Sequence, residues 1–386
     1  MRHIIGFIRN FFRKGDMILL TLCLVTTAFG CMVIASATNN LGFTRYIIIQ
    51  LVATALGVVC YAVISSLDTD FLAEYRTGMV IFNLFLIALL IPFGINVGGN
   101  RSWLDFPLLP VNIQAAEVCK ITFIIIMASV MGSHQNRPSH IISVLHLAFH
   151  LLLFVGPNLV ISGDMGVSLI FVFIFIGMAF AGGVNALWFL GGIGAISAGF
   201  PILWTRLGEY QRNRILILFD PTIDPTGIGP RYHTRLSLQS LTGGGLLGQG
   251  LFQGTRTQTP EALPAQHTDF IFSAIGEELG YAGCAFVMFL LLLIIIRCIY
   301  VGMHAQDYMR RLVCFGAASA LIFQVIINVG MCIGVMPVIG ITLPFISYGG
   351  SSIVTLYAML GLVSGVHERP AAASHERYIR SPYLRR

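Results

Sequence analysis

The chain has 386 residues, of which 56% are hydrophobic and only 10% charged, with a formal net charge of +6. An ordinary soluble chain carries about 25% charged residues, so the composition excludes a soluble globular protein and points to one that lies in a membrane. The positive balance is accounted for by basic residues gathered on one side of that membrane and calls for no nucleic-acid partner.

Apolar runs close to the ~20 residues that a helix needs to cross a bilayer core predict ten transmembrane helices, over residues 17–37, 46–65, 78–94, 114–131, 141–161, 165–182, 187–204, 281–299, 312–334 and 348–366. The expected fold class is an all-α, multi-pass membrane protein forming a single polytopic domain over 1–386. Arg2, Arg9, Arg13 and Lys14 precede the first run as they would in a signal peptide. That run is longer than a signal core of about 7–15 residues, so it is expected to stay as the first helix. An even number of crossings puts both termini on one side. The short loops on the other side hold only Arg45 and Arg101. By the rule that Lys and Arg collect inside, residues 1–16 and the basic tail 367–386 are cytoplasmic, and the long loop 205–268 lies outside. The eight cysteines, at 23, 31, 60, 119, 284, 298, 314 and 332, fall in or at the ends of apolar runs without a CxxC pair. They read as buried small side chains rather than disulfides or a zinc site.

The loop 205–268 carries six arginines (206, 212, 214, 231, 235 and 256), with Glu209, Asp220, Asp224, Glu261, His233 and His267. A connection of this length is usually functional, and its charges are suited to a charged ligand at the outer face. Immediately after it comes "HTDFIFSAIGEELG", residues 267–280. Asp269 is placed either to cap a helix or to act as a general base or divalent-cation ligand, with His267 beside it. At 100° per residue, Glu277 falls about 80° and Glu278 about 180° from Asp269, so the three acids do not form a paired-carboxylate face. A single helix from 269 to 299 would be about 46 Å long against a hydrocarbon core of about 30 Å. Asp269 is therefore expected at headgroup level, with Glu277 and Glu278 near the boundary and a bend at Gly280 or Gly283.

Glu117 and Lys120, three apart on the fourth helix, form either a scaffolding ion pair or part of a site, since ionisable groups at membrane depth face a bundle interior or a watered cavity. "GGGLLGQG" contains Gly243, Gly245 and Gly248 in GxGxxG spacing, but no βαβ unit surrounds it. A hinge or a phosphate nest is the expected role. Gly349, Gly350, Ser351 and Ser352 open the last helix and can cap it or bare N–H groups towards an anion. No P-loop, GxSxG or HExxH occurs, which excludes ATP-driven, serine-hydrolase and metalloprotease chemistry of those kinds.

In combination, "HTDFIF" with "GEELG", and "PFISYGGSS" near the end, resemble the SEDS family (shape, elongation, division and sporulation), the RodA and FtsW proteins of bacterial cell-wall synthesis. "GGNRSWL", "AAEVCK", "YQRNRI", "DPTGIG" and the Gln239-Ser240 pair with its glycine run are also similar, so the resemblance covers nearly the whole chain. It implies a peptidoglycan glycosyltransferase of the bacterial cytoplasmic membrane that polymerises lipid II outside it, beside a class B penicillin-binding protein and other elongasome or divisome membrane proteins. The family's essential aspartate maps onto Asp269, its buried acid and lysine onto Glu117 and Lys120, and an arginine of the second outer loop onto Arg101. Arg101, Arg212 and Arg214 are candidate pyrophosphate contacts; Gln239, Ser240, His267, Ser351 and Ser352 are further substrate candidates. Asp269 is also a candidate ligand for Mg²⁺ or Mn²⁺, and no organic cofactor is implied. "GQG" followed by "GTRTQ" is more similar to RodA than to FtsW. The chain departs from the family pattern at Ala265, where Glu is usual, at Ser102, where a second Arg is usual, and before "ISGDMG", where Gln-Pro is missing. Against the polymerase stand a lipid-linked precursor flippase, which would use Glu117 and Lys120 at the midplane, and a scaffold that only recruits a transpeptidase.

Overall fold

The structure is a computed structural model. It describes residues 11–367 except 14, 68, 98–99, 106–111, 207, 209–211, 214–215, 218–219, 221–223, 225–230 and 261. Arg214, Glu261, most of "DPTGIG", the first ten residues and nearly all of the basic tail therefore lie outside the described residues.

The chain is mostly helical. Among the described residues, seven helices are long and apolar enough to cross a membrane: α1 (Met17–Ala37), α2 (Phe43–Ser66), α3 (Arg76–Phe93, which breaks briefly at Leu89), α4 (Ala115–Ser133), α5 (Ile141–Ser162), α9 (Ile271–His304) and α10 (Tyr308–Cys332). Three more helices have shorter apolar stretches: α6 (Met165–Ala181), α7 (Ala186–Arg206, apolar over Ala186–Pro201) and α11 (Gly350–Val366). A polar helix, α8 (Tyr232–Gly243), lies between α7 and α9. The expected all-α class misses one element: β1 (Gly94–Val97), β2 (Asn100–Leu104) and β3 (Ile113–Gln114) form an antiparallel sheet in the order β1-β2-β3. Irregular backbone next to an apolar medium must find its own partners, and ladder pairing supplies them between α3 and α4.

Small residues set the closest helix contact. On α11, a Cβ on Gly361 would lie 2.9 Å from the Tyr61 carbonyl, and one on Gly365 would lie 2.9 Å from that of Ser65. From the other side, Tyr357 of α11 packs on Gly57 of α2. Small residues four apart let backbones approach where no hydrophobic drive separates helix from lipid. At the start of α1, Asp16 is 1% exposed and caps the helix through Leu19 N–H. Its carboxylate takes Arg297 Nε at 2.8 Å and Nη2 at 3.1 Å, its N–H donates to Ser364 Oγ, and its carbonyl accepts from Tyr61. One buried acid thus joins α1, α2, α9 and α11.

Residues 269–299 do not form a single rod. Gly280 has φ 67° and ψ −166°, and it divides α9 into two limbs, 271–279 and 281–304. A Cβ on Gly276 would lie 3.4 Å from Cys284 Sγ, and one on Gly283 would lie 3.2 Å from Ile275 Cγ2. Residues eight apart on one rod are about 12 Å apart along its axis, so the second limb folds back along the first.

The glycine run 243–250 makes that reversal tolerable. Gln249 and Gly250 donate N–H groups to the Glu277 and Glu278 carbonyls, which end the first limb. The carbonyls of Gly245 and Leu246 accept from Tyr281 and Ala282, which begin the second. Cβ atoms on Gly244 and Gly248 would run into backbone oxygens of Gly276 and Glu278. The run is neither a hinge nor a phosphate nest, because its polar groups serve as a double helix cap. Gly280→Ala would put a side chain in a region of φ, ψ essentially reserved for glycine, with its Cβ 2.4 Å from Gly248 N. We expect a loss of more than about 2 kcal/mol, read as a melting temperature several degrees lower in detergent.

Candidate active site

The length argument that set Asp269 above the apolar slab fails with the rod it assumed. The first limb of α9 runs from Asp269 towards the glycine cap, and Asp269 is anchored to α10 by its backbone. Asn328 Nδ2 donates to the Asp269 carbonyl at 2.9 Å and to the Ile341 carbonyl at 2.7 Å. Ser347 Oγ donates to the Thr268 carbonyl at 2.7 Å, and Tyr348 N–H to that of His267 at 2.8 Å. Three successive carbonyls are thereby held by α10 and the segment 343–349.

The Asp269 side chain, in contrast, accepts no hydrogen bond from any described residue. It does not cap α9, which begins after Phe270 without a side-chain cap, so the capping role considered from sequence is not used. The half-buried carboxylate faces a cavity of about 670 Å³. Two other acids line the same cavity. Asp164 caps α6, its Oδ1 accepting from Val167 N–H at 3.1 Å and its Oδ2 from Ser102 Oγ at 2.8 Å. Glu117 takes Lys120 Nζ on Oε1 at 2.7 Å and Thr355 Oγ1 on Oε2 at 2.8 Å. Both are satisfied; Asp269 is not. Burial, reinforced by the neighbouring charge of Asp164, pushes the Asp269 carboxyl up to about 6. Asp164 is also raised by burial, against the two hydrogen bonds that favour its ionised form.

Opposite the acids, α11 starts at Gly349 without a side-chain cap. Gln50 of α2 fixes that turn by accepting from Gly349 N–H at 3.2 Å. The free N–H groups at the start of α11, with Ser351 and Ser352, face the cavity and make a site for negative charge. Arg45 supplies a side-chain cation at the same cavity.

Of the residues singled out from sequence, the fold thus brings Asp269, Glu117, Ser351 and Ser352 into one cavity, with Lys120 paired behind Glu117. His267 packs its ring against Tyr46 and Tyr348 without lining the cavity, and burial lowers its basicity. Four others are elsewhere. Exposed Arg101 donates Nε to the Gly94 carbonyl within the small sheet. Arg212 bonds the Thr205 carbonyl and stacks over Trp204. Gln239 lines a second cavity, and Ser240 is fully buried. Sequence reasoning missed Arg45, Asp164, Ser102 and Gln324 as cavity residues. Asp164 and Gln324 had a signal: each is a polar residue at the start of, or within, an apolar run. Gln324 is 1% exposed and its Oε1 has no partner among the described residues.

A bundle of apolar helices enclosing a polar, acid-bearing cavity defines a multi-pass membrane protein with a built internal site. The chain matches the family model of the cell cycle proteins FtsW, RodA and SpoVE over residues 16–371, and it belongs to that family. It is 32% identical to the peptidoglycan glycosyltransferase MrdB of Escherichia coli K12 over 358 residues, which cover 91% of this chain and 93% of that one. It is 31% identical to a probable peptidoglycan glycosyltransferase FtsW of Thiomicrospira cyclica, with 90% of each chain covered. Among solved structures, it superposes with a TM-score of 0.78 at 30% identity on a chain of a peptidoglycan synthase complex that coordinates polymerization and crosslinking, covering 92% of this chain and 97% of that one. The rod shape determining protein RodA of Thermus thermophilus matches with a TM-score of 0.67 at 26% identity, covering 92% and 96%.

Two stability predictions follow from the unpaired groups. The folded-state proton affinity of Asp269 lies above the ordinary 3.8, so its contribution to stability is full at low pH and is lost as pH rises through about 6. Asp269→Asn should therefore be more stable than the parent at pH 7, by about 2–3 kcal/mol, read as a higher melting temperature, and the difference should vanish towards pH 4. Gln324→Leu removes a buried amide oxygen without a partner among the described residues, and should likewise stabilise the protein, by about 1 kcal/mol or more, read as a higher melting temperature.

Proposed function

We propose that this chain is a peptidoglycan glycosyltransferase that polymerises lipid II at the outer face of the bacterial cytoplasmic membrane, with Asp269 as the general base. The observation that carries this reading is the unbonded Asp269 carboxylate, the one acid of its cavity left free among the described residues, facing the uncapped start of α11. A proton acceptor and an anion site in one enclosure are the two functions that transfer of a sugar from a pyrophosphate requires.

In the step we envisage, the acceptor hydroxyl oxygen bonds to the anomeric carbon of the donor sugar. The bond from that carbon to the pyrophosphate oxygen breaks, and the pyrophosphate leaves with its electron pair. Asp269 takes the hydroxyl proton. Attack opposite the leaving group turns an α-linked donor into a β-1,4 product, and for such an inversion one base is sufficient. Pyrophosphate is a good leaving group once its charge is met. The α11 N–H groups, Ser351, Ser352 and Arg45 are positioned for that, in place of Arg101 and Arg212 considered from sequence, which do not line the cavity. The Glu117–Lys120 pair with Thr355 holds α4 against α11 and so fixes the anion-binding wall.

A divalent cation fits this donor set in one respect. Mg²⁺ is commonly held by one or two carboxylates and the phosphates of the substrate, and Asp269 offers the free carboxylate, whereas no cluster of three metal-ligating side chains forms among the described residues. When bound, Mg²⁺ or Mn²⁺ would neutralise charge on the leaving pyrophosphate.

The same reading includes ten crossings, both termini cytoplasmic, the segment 205–268 outside, and a single polytopic domain. Its partners are a class B penicillin-binding protein and other membrane proteins of the elongation or division machinery, with elongation favoured by the RodA-like "GQG" and "GTRTQ". The flippase reading is not favoured, because the curated relatives are named as glycosyltransferases.

Polymerisation of lipid II by the purified protein with its transpeptidase partner tests the proposal. Asp269→Ala should lower the rate by about a hundredfold or more; undiminished activity in that variant would rule out the mechanism. The parent rate should fall about tenfold per pH unit below about 6, as the base becomes protonated.

A further inference from the structure

A second cavity, of about 440 Å³, lies beside the glycine cap, with Gln239 of α8, Glu277 of α9, and Gln249, Thr255, Arg256 and Thr259 of the intervening loop among its lining residues. Its walls are fixed from behind. Glu277, 1% exposed, accepts Arg256 N–H at 2.8 Å, Thr257 N–H at 3.1 Å and Thr257 Oγ1 at 2.8 Å. Gln249 Oε1 accepts both the N–H and the hydroxyl of Thr255 at 2.8 Å, and its Nε2 donates to the Gly243 carbonyl. Two side chains stand outside this bonding. The half-buried Arg256 guanidinium and the Gln239 amide have no hydrogen-bond or ion-pair partner among the described residues.

These groups select a chemistry. A guanidinium that bonds to no described residue, in a fixed polar recess whose own carboxylate, Glu277, is already taken by two backbone N–H groups and the Thr257 hydroxyl, recognises an incoming carboxylate through paired N–H donors. The glutamine amide and threonine hydroxyls around it suit the hydroxyl and amide groups of a sugar–peptide. The recess shares two walls with the Asp269 cavity. His233 lines that cavity and Gln239 lines this recess, six residues or about 9 Å further along α8. Asp269 and Glu277 stand in the same relation at either end of the first limb of α9.

We propose that the second cavity binds the carboxylate-bearing sugar–peptide units of the glycan strand next to the unit being joined, and so retains the strand between successive additions. The inference rests on the polymerase reading. It differs from it in needing Arg256, which plays no part in bond formation.

The test uses the full-length protein with its transpeptidase partner and compares Arg256→Gln and Arg256→Lys with the parent. Three quantities are measured: the initial rate of sugar incorporation, the strand-length distribution, and binding of a lipid-free disaccharide–pentapeptide by saturation-transfer NMR. For Arg256→Gln we expect an initial rate within twofold of the parent, mean strand length reduced severalfold, and loss of the fragment signal. Arg256→Lys should restore part of the length. The fragment signal should survive in Asp269→Ala, and Arg256→Lys, which keeps the charge, is the control should Arg256→Gln fold poorly. Unchanged strand length with an unchanged fragment signal overturns the proposal, as does a signal that depends on Asp269 instead of Arg256. An Arg256→Gln defect confined to binding the transpeptidase makes the recess a protein contact and also overturns it. Activity in the parent that does not depend on Asp269 defeats the polymerase mechanism itself, a separate outcome.

Discussion

The reversal at Gly280 is the feature on which the arrangement of the site depends. In an apolar medium every backbone N–H and C=O must be satisfied within the protein, and a helix that turns back on itself leaves two sets of open ends. Here one glycine-rich turn meets both, accepting from Tyr281 and Ala282 and donating to Glu277 and Glu278. Because those ends are closed, the first limb of α9 can stand against α8 and α10 with Ile271, Ala274 and Ile275 in a core beside Leu236, Val325 and Cys332. That packing carries Asp269 to the cavity.

The acids of this protein show how satisfaction separates scaffold from chemistry. Asp16, at one end of α1, has a bidentate guanidinium, a helix N–H and neighbouring hydroxyls around it. Near the other end of that helix, Gln258 Nε2 donates to the Ser36 carbonyl and to Glu278 Oε1, while Glu278 Oε2 has no partner among the described residues. Glu277, Asp164 and Glu117 are each met by two or three donors. Asp269 is held only by its carbonyl, so the backbone is rigid where the carboxylate is free. A buried charge left in this state costs stability, and the fold tolerates that cost at the position where a proton acceptor is useful. Strain and unpaired groups are commonly stored at functional sites and compensated elsewhere; here the compensation includes Asn328, Ser347 and Tyr348.

Much of this was legible beforehand. The ten apolar runs coincide with helices to within a few residues at most ends, and Gly280 was one of two positions expected to bend. Asp269, Glu117, Ser351 and Ser352 were singled out from "HTDFIF", "AAEVCK" and "YGGSS" and are found around one cavity. The arginines were less legible. Arg101 and Arg212 were chosen because they sit in loops, but a long flexible side chain in a loop can point several ways, and theirs bond to nearby carbonyls. Arg45 was passed over as a mere topological marker, though it is the side-chain cation at the cavity. Gln324 was hidden by its apolar neighbours, since helical periodicity does not say which helix a face will meet.

Composition and charge distribution by themselves determined that the chain is a membrane protein built from apolar helices, because hydrocarbon imposes a length and a polarity on any segment that crosses it. The combination of short motifs determined the family and singled out Asp269. Only the tertiary structure decided where that residue stands. The direction of the first limb of α9, the use of the glycine run as a cap, and the grouping of Asp269 with Asp164 and the start of α11 all arise from contacts between segments well separated along the chain. Local sequence sets helical phase and length, but it does not encode which distant backbone groups will close an open helix end.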